Sequence, residues 1–191
     1  VWRDLWGLGE MPFYEVELAP FTYGGDGTTG ARIREAQHKA VELIPGSGIA
    51  SINDLAYPYE YDEIHPRRKK EVGERLSYLA LNRTYGMDYL PCEGPRFKSY
   101  EVRGGEIEVA FYNGESGFSP WHDIVGFEIA GEDKVFHPAE IRRGTQLNTV
   151  IVKSGKVPAP VAVRYCFRDF QVGNFTGRRC LPVIPFRTDN W

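Results

Sequence analysis

Gly48-Ile-Ala-Ser-Ile52 is a short apolar run that follows a Pro-Gly turn and precedes a long loop, and it predicts a buried strand. Residues 13–20 alternate apolar and charged side chains before a proline, which predicts a second strand. Residues 31–43 are rich in helix formers, and residues 66–85 predict another helix that ends at Gly86. This order of strand, helix, strand and helix predicts half of a parallel α/β sheet covered by helices. The apolar residues at helical spacing in the first helix are Ile33, Ala36, Ala40 and Leu43.

The pattern changes after Pro91, where short strand-like segments alternate with Gly, Pro, Asn and Asp. It predicts an all-β domain, a small sandwich or jelly roll. We therefore expect an α/β domain over residues 1–90 and a β-sandwich domain over residues 91–191. Four predicted strands are residues 107–112, 125–129, 149–152 and 162–165.

The composition is that of a folded globular protein. The chain of 191 residues has 23 basic and 26 acidic side chains, a formal net charge of −3 and a hydrophobic fraction of 42%. These values argue against disorder, and the absence of a basic field excludes a nucleic-acid partner from our expectations. No apolar run approaches the ~20 residues of a membrane helix, so we expect no membrane partner. The aromatic fraction of 14% is typical of carbohydrate-handling proteins and of β-rich cores alike.

The three cysteines, Cys92, Cys166 and Cys180, have no CxxC spacing, which argues against a structural zinc site. If one pair forms a disulfide, we expect it to join Cys166 to Cys180. No histidine has ligand spacing with another histidine or with a carboxylate pair, so we expect no metal site.

Asp62-Glu-Ile-His65-Pro66 is the segment with the clearest catalytic potential. An Asp three residues before a His can accept the imidazole Nδ1–H and leave Nε2 free as a general base. The alternative is that Asp62 caps the following helix and His65 is a surface residue at its start. A nucleophile is missing, because Gly114-Glu-Ser-Gly-Phe118 lacks the last glycine of a GxSxG motif.

Several segments carry a further signal: Pro12-Phe-Tyr-Glu-Val-Glu-Leu-Ala-Pro20, Arg34-Glu-Ala-Gln37, Asp62-Glu-Ile-His-Pro66, Val72-Gly-Glu-Arg-Leu76, Gly126-Phe-Glu-Ile-Ala-Gly131, Pro160-Val-Ala-Val-Arg-Tyr165 and Pro185-Phe-Arg-Thr-Asp189. In this order they resemble the C-terminal part of the sialate O-acetylesterase family, carbohydrate esterases of the SGNH hydrolase class. The similarity runs over nearly the whole chain, from about Trp2 to Trp191.

The resemblance implies a serine esterase that removes O-acetyl groups from sialic acid or related sugars, without a cofactor. It implies a flavodoxin-type parallel sheet, of which this chain would hold the C-terminal half, with Asp62 and His65 as the acid and base of a catalytic triad. The family's serine lies in a Gly-Asp-Ser motif upstream, and its oxyanion-hole Gly and Asn lie upstream as well. None of them is in this sequence, so we expect the missing N-terminal half of the catalytic domain as a partner and an inactive fragment without it. Arg34 and Gln37 match a family motif and are candidates for substrate binding, as is Tyr23.

Two alternatives stay open. Arg34 could equally be an ion-pairing residue on an ordinary helix, and the chain could be a non-catalytic carbohydrate-binding or scaffold module. In such a module, aromatic side chains such as Trp121 and Tyr112 would stack on sugar rings. The family resemblance implies an exported protein, whether secreted, periplasmic or lysosomal. Two N-glycosylation sequons, at Asn82 and Asn174, are compatible with export.

Overall fold

A computed structural model describes residues 1–191 as a mixed α/β protein with few helices and mostly antiparallel strands. The helices are α1 (Trp2–Trp6), α2 (Thr29–Leu43) and α3 (Lys69–Leu79), and a π-helical turn (Ala80–Thr84) follows α3. The strands are β1 (Phe13–Val16), β2 (Ser47–Ala50), β3 (Arg96–Arg103), β4 (Glu106–Tyr112), β5 (Phe118–Ser119), β6 (Phe127–Ala130), β7 (His137–Pro138), β8 (Glu140–Arg143), β9 (Thr149–Lys153), β10 (Ala162–Tyr165), β11 (Thr176–Gly177) and β12 (Phe186–Arg187).

The first half of the chain contains a parallel sheet of two strands, β1 and β2, which α2 connects. Phe13 pairs with Ser47 and Val16 pairs with Ala50, so both strands end at the same edge of the sheet. All four residues of β2 are buried. The predicted order of strand, helix, strand and helix is therefore present, although the parallel sheet formed within this chain is only two strands wide.

Helix α2 buries a polar face. Ile33 and Leu43 are 45% and 82% exposed, whereas Arg34 is 1% exposed. The Arg34 guanidinium donates to the main-chain oxygens of residues 168–169, and the Gln37 side chain bonds to the main chain of residues 16–18. Because buried polar groups need such partners, these bonds fix which side of the helix faces inward. The spacing of the apolar residues thus predicts the helix but does not mark its buried side.

Helix α3 begins at Lys69, three residues after the predicted start at Pro66. The intervening residues belong to the preceding loop, since the Arg67 N–H is bonded to the carboxylate of Glu60. The helix continues into the π-helical turn, and Gly86 follows it with a positive φ of 71°. A glycine adopts this left-handed conformation without steric cost, which is why Gly86 can end the predicted helix.

Two four-stranded antiparallel sheets make up most of the second half of the chain. Their strand orders are β3-β4-β9-β8 and β12-β10-β6-β7, and a short pair, β5-β11, completes the arrangement. The four predicted strands overlap β4, β6, β9 and β10. Edge strand β3 was not predicted from the sequence, because most of its residues are exposed and polar.

The main core lies between these two sheets. Side chains that point inward from β4, β9, β6 and β10 form one cluster of 15 buried residues, together with residues of β5, β12 and the connecting loops. Burying a large apolar side chain contributes about 1.5–3 kcal/mol, so this cluster is the chief source of stability in the second half. Its strand residues are Ile107, Val109, Phe111, Phe118, Val150, Val152, Phe127, Ile129, Val163, Tyr165 and Phe186.

Residues 166–173 leave β10 and pack against the α/β elements. The Asp169 carboxylate accepts the N–H of Gly30, in the first turn of α2, at 2.7 Å. The Asp169 N–H donates to the Gly27 oxygen at 2.7 Å, and the Asp169 oxygen accepts the Phe21 N–H at 3.1 Å. This segment therefore joins the two halves of the chain by main-chain and side-chain hydrogen bonds. The division into domains at residue 90 stays a prediction.

The three cysteines are all free thiols, so the expected disulfide between Cys166 and Cys180 is wrong for this structure. Cys166 is buried beneath Tyr165 and Gly126, whereas Cys180 lies on an exposed turn. Burial raises the pKa of Cys166 to about 12, which keeps this thiol protonated and unreactive at neutral pH.

Neither a membrane-spanning helix nor a cluster of metal-binding side chains is found. No helix combines the length and the apolar character that crossing a bilayer requires. No group of three or more His, Cys, Asp or Glu side chains is arranged to hold a metal ion.

Candidate active site

Asp62 and His65 lie on the long loop that follows the carboxyl end of β2, and both side chains are exposed. The main-chain N–H of His65 donates to the Glu63 carboxylate at 3.1 Å, and no hydrogen bond joins the Asp62 carboxylate to the imidazole. The interpretation of Asp62 as a helix cap is wrong, because α3 begins at Lys69 with Arg68 at its cap position. The catalytic pairing of Asp62 with His65 stays a prediction.

The buried carboxylate of Glu60 holds this loop at both ends. It accepts the N–H of Tyr57 at 2.8 Å and the N–H of Arg67 at 3.2 Å. The Arg67 guanidinium lies 3.6 Å from the same carboxylate. Glu60 is only 1% exposed, so one acidic group that is shielded from water fixes the two residues between which Asp62 and His65 project.

An ion pair anchors the start of the loop to α3. The Arg75 guanidinium bonds to both oxygens of the Asp54 carboxylate, each at 2.6 Å, and to the Ser51 oxygen at 2.6 Å. Both side chains are largely buried, and a bidentate guanidinium–carboxylate pair restricts the geometry more than a single contact does. The end of β2 is thereby held against α3 just before the loop departs.

Three tyrosines of the same loop, Tyr57, Tyr59 and Tyr61, form an exposed tyrosine cluster next to Asp62 in sequence. The rings of Tyr57 and Tyr59 stack with 5.3 Å between their centroids, and the Arg67 guanidinium lies 5.6 Å from the Tyr59 centroid. This cluster was not predicted, although tyrosine alternates with Pro58 and Glu60 over residues 57–61 of the sequence. Exposed aromatic rings offer apolar faces on which sugar rings pack.

Two of the predicted substrate-binding residues, Arg34 and Gln37, lie on α2, and the third, Tyr23, lies on the loop before it. The polar side-chain groups of Arg34 and Gln37 form hydrogen bonds with main-chain atoms of other elements. The Tyr23 ring packs over Gly30, where an added Cβ would lie 2.6 Å from it, and the Tyr23 hydroxyl donates to the Ala19 oxygen at 3.0 Å. Burial raises the pKa of Tyr23, which keeps the phenol protonated. Substrate binding by these three residues stays a prediction, and the contacts they make within the chain are structural.

A buried polar cluster, formed by Glu17, Arg34, His38 and Ser51, lies behind the ends of both parallel strands. Glu17 accepts the Ser51 hydroxyl at 2.5 Å and the Ile52 N–H at 2.8 Å. The Nε2 atom of His38 lies 3.4 Å from Glu17 Oε1, without hydrogen-bond geometry. No sequence pattern predicts this cluster, because its members are separated along the chain.

The similarity to known proteins comes from solved structures. A scan against protein-family models finds no match, and neither does a search of the curated proteins. A solved structure, that of a novel carbohydrate acetylesterase from Xanthomonas citri, is similar to this chain with a TM-score of 0.86 and 39% sequence identity. The similarity covers 100% of this chain and 44% of that protein, so this chain spans less than half of its length. The fold of these residues therefore resembles part of a carbohydrate esterase.

Proposed function

We propose that this chain supplies the acid and base of a carbohydrate O-acetylesterase. The observation that carries the proposal is the 39% identity with a carbohydrate acetylesterase over the full length of this chain. The position of Asp62 and His65 supports it, since both are exposed after the carboxyl end of a parallel strand. Ligands of open α/β sheets bind at that edge of the sheet.

In the proposed mechanism, His65 takes a proton from a serine hydroxyl as that hydroxyl attacks the acetyl carbonyl. Asp62 accepts the imidazole Nδ1–H and stabilises the imidazolium. His65 then protonates the departing sugar oxygen, and it later activates the water that hydrolyses the acetyl-enzyme. In this mechanism the hydrogen bond between Asp62 and His65 forms in the substrate complex, since catalytic hydrogen bonds often tighten only when substrate is bound.

We propose that the serine and the oxyanion hole come from chain outside these 191 residues. The only hydrogen bond that His65 makes is through its main-chain N–H, so no serine of this chain is paired with its imidazole. The parallel sheet has two strands with unpaired outer edges, at which further strands can add. Trp2 and Trp6, which lie beside β1 in sequence, are 63% and 68% exposed and offer an apolar surface for the same segment.

For the substrate, we propose an O-acetylated sialic acid or a related acetylated sugar. The tyrosine cluster supports a sugar ligand because it exposes apolar ring faces on the loop that carries Asp62. Arg67 supports an acidic sugar, since its side chain is 72% exposed although its guanidinium lies close to Glu60. Such substrates are found outside the cytosol, so we also propose that the protein is exported.

The proposal is tested by substituting His65 in a preparation that releases acetate from acetylated sugars. We expect His65→Ala to lower kcat at least about 1,000-fold, because the serine then has no base. His122→Ala, which removes an exposed imidazole of the second half, is the matched control and should leave kcat unchanged. Near-normal acetate release by His65→Ala would remove His65 from the mechanism. Comparing O-acetylated sialic acid with an acetylated neutral sugar as substrate tests the finer proposal.

A further inference from the structure

A cleft of about 460 Å³ opens in the β part, between the turn that contains Gly117 and the loop that follows β8. Its volume falls within the ~300–1,000 Å³ typical of small-molecule sites. The side chains that line it include Trp121, Arg143, Gln146 and Arg178. None of them belongs to the site proposed for ester hydrolysis.

The cleft is positively charged although the whole chain carries a net charge of −3. No aspartate or glutamate lines it. Arg143 and Arg178 make no ion pair, whereas their neighbour Arg142 bonds to Glu106 at 2.7 Å. The Arg143 guanidinium lies 5.2 Å from the Trp121 ring centroid, a contact that orients this guanidinium without neutralising it. Two guanidinium groups are therefore available to an anion.

A buried acidic group holds the wall of the cleft in place. The Glu108 carboxylate accepts the Thr145 N–H at 2.6 Å, the Thr145 hydroxyl at 2.7 Å and the Thr149 hydroxyl at 2.8 Å. Arg103 neutralises Glu108 from the other side at 2.6 Å. At Gly144 a Cβ would lie 2.1 Å from the Thr149 hydroxyl oxygen, so only glycine fits there. The loop that carries Gln146 is therefore fixed before any ligand binds.

We propose that this cleft binds a carboxylate-bearing sugar residue of an acidic glycan. A guanidinium recognises a carboxylate through two parallel hydrogen bonds, and Arg143 and Arg178 supply two such groups. The Gln146 amide can donate to and accept from sugar hydroxyls, and the Thr145 hydroxyl, which donates to Glu108, can accept from one. Trp121 adds apolar surface for the C–H groups of the ring. The proposal goes beyond ester hydrolysis and does not depend on it.

The test is a calorimetric titration of the full chain with trigalacturonate, with its methyl ester and with inorganic sulfate. We expect saturable binding of trigalacturonate that weakens as salt rises, because exposed charges are screened. The methyl ester keeps the sugar rings but lacks the charge, so it should bind at least about tenfold more weakly. No binding of trigalacturonate, or equal binding of the ester, overturns the proposal. Sulfate that binds as tightly as trigalacturonate overturns the recognition of a sugar.

Single substitutions test whether the sugar binds in this cleft. Arg143→Gln and Arg178→Gln should each weaken trigalacturonate binding about tenfold or more. Arg142→Gln makes the same charge change one residue away, outside the cleft, and should leave the dissociation constant within about twofold. Thermal unfolding of each variant shows whether it is folded. A folded Arg143→Gln variant with unchanged affinity contradicts the site. His65→Ala should bind trigalacturonate normally, which separates this proposal from the esterase proposal.

Discussion

Glu17 shows how a single buried acid is kept ionised inside the protein. Its side chain is fully buried, and burial alone would raise its pKa. The neighbouring His38, the charge of Arg34 and the hydroxyl of Ser51 act in the opposite direction and outweigh burial, so the pKa of Glu17 lies below its ordinary value of 4.5. The ionised carboxylate therefore contributes to stability, because its partners are lost on unfolding.

We expect the contribution of Glu17 to depend on pH with a definite sign. Its pKa is lower in the folded than in the unfolded protein, so the contribution is fully present above about pH 4.5 and is lost as the pH falls through the folded value. Glu17→Gln should lower the free energy of unfolding by about 1–3 kcal/mol at pH 7, and by progressively less at acidic pH. Urea unfolding at pH 7 and pH 4 measures both differences. Glu15→Gln, on β1, is the control, and a Glu17→Gln difference that grows on acidification would contradict the assignment.

Single residues also show where sequence reasoning reaches its limit. The spacing of Asp62 and His65 can be read from the sequence because the two residues are close along the chain. Arg34 and Gln37 can be placed on one helix face in the same way, but their partners are main-chain atoms of other elements, which no pattern in residues 31–43 reveals. The role of Glu17 could not be predicted for the same reason, since Glu17 lies 34 residues from Ser51, whose hydroxyl donates to it.

Among the elements, the loop from Tyr57 to Arg67 is the one on which the proposed chemistry depends. It has no regular secondary structure. The Glu60 carboxylate bonds to its main chain at both ends, and Thr22 bonds to the Tyr61 oxygen in its middle. Ionised acceptors form stronger hydrogen bonds than neutral ones, so this carboxylate can order a loop that carries exposed aromatic side chains. The same bonds explain why α3 starts later than the sequence predicts, since the Arg67 N–H bonds to Glu60 and Pro66 and Arg67 therefore belong to the loop.

Glu60→Gln should loosen this loop. The amide keeps one acceptor oxygen but presents an NH₂ group to a main-chain donor, so one of the two N–H bonds is lost. We expect a decrease of about 1–3 kcal/mol in the free energy of unfolding and faster chymotryptic cleavage after Tyr59 or Tyr61. Mass spectrometry of the digest identifies the cut sites. Glu63→Gln, which changes an exposed carboxylate of the same loop, should have a much smaller effect. Equal cleavage rates in the two variants would show that Glu60 does not hold the loop.

For the whole molecule, the packing of residues 166–173 against the α/β elements decides how the two halves are connected. The strand before this segment, β10, was predicted from the sequence, but neither the segment nor the short strand β11 after it has a pattern that predicts its packing. Asp169 acts as a helix cap for α2, 139 residues away in sequence, while the local cap position, Thr28, makes no side-chain cap. Capping motifs in sequence are sought within a few residues of a helix start, so this contact could be found only in the structure.

Asp169→Ala tests whether the β part stabilises α2 through this cap. The variant removes the acceptor of the Gly30 N–H and leaves a buried donor without a partner, which should cost about 1–2 kcal/mol. Because α2 then opens more often, its amides should exchange with deuterium about five to thirty times faster, while amides of β4 in the main core keep their protection. Asp169→Asn retains the acceptor oxygen and should restore most of the protection of α2. Asp133→Ala, which removes the cap of an exposed turn within the β part, should change exchange only at that turn. If the amides of α2 exchange equally fast in Asp169→Ala and in the unsubstituted protein, the helix does not depend on the β part. If the amides of β4 lose protection together with those of α2, the two halves unfold as one cooperative unit, and the effect of the cap is not confined to α2.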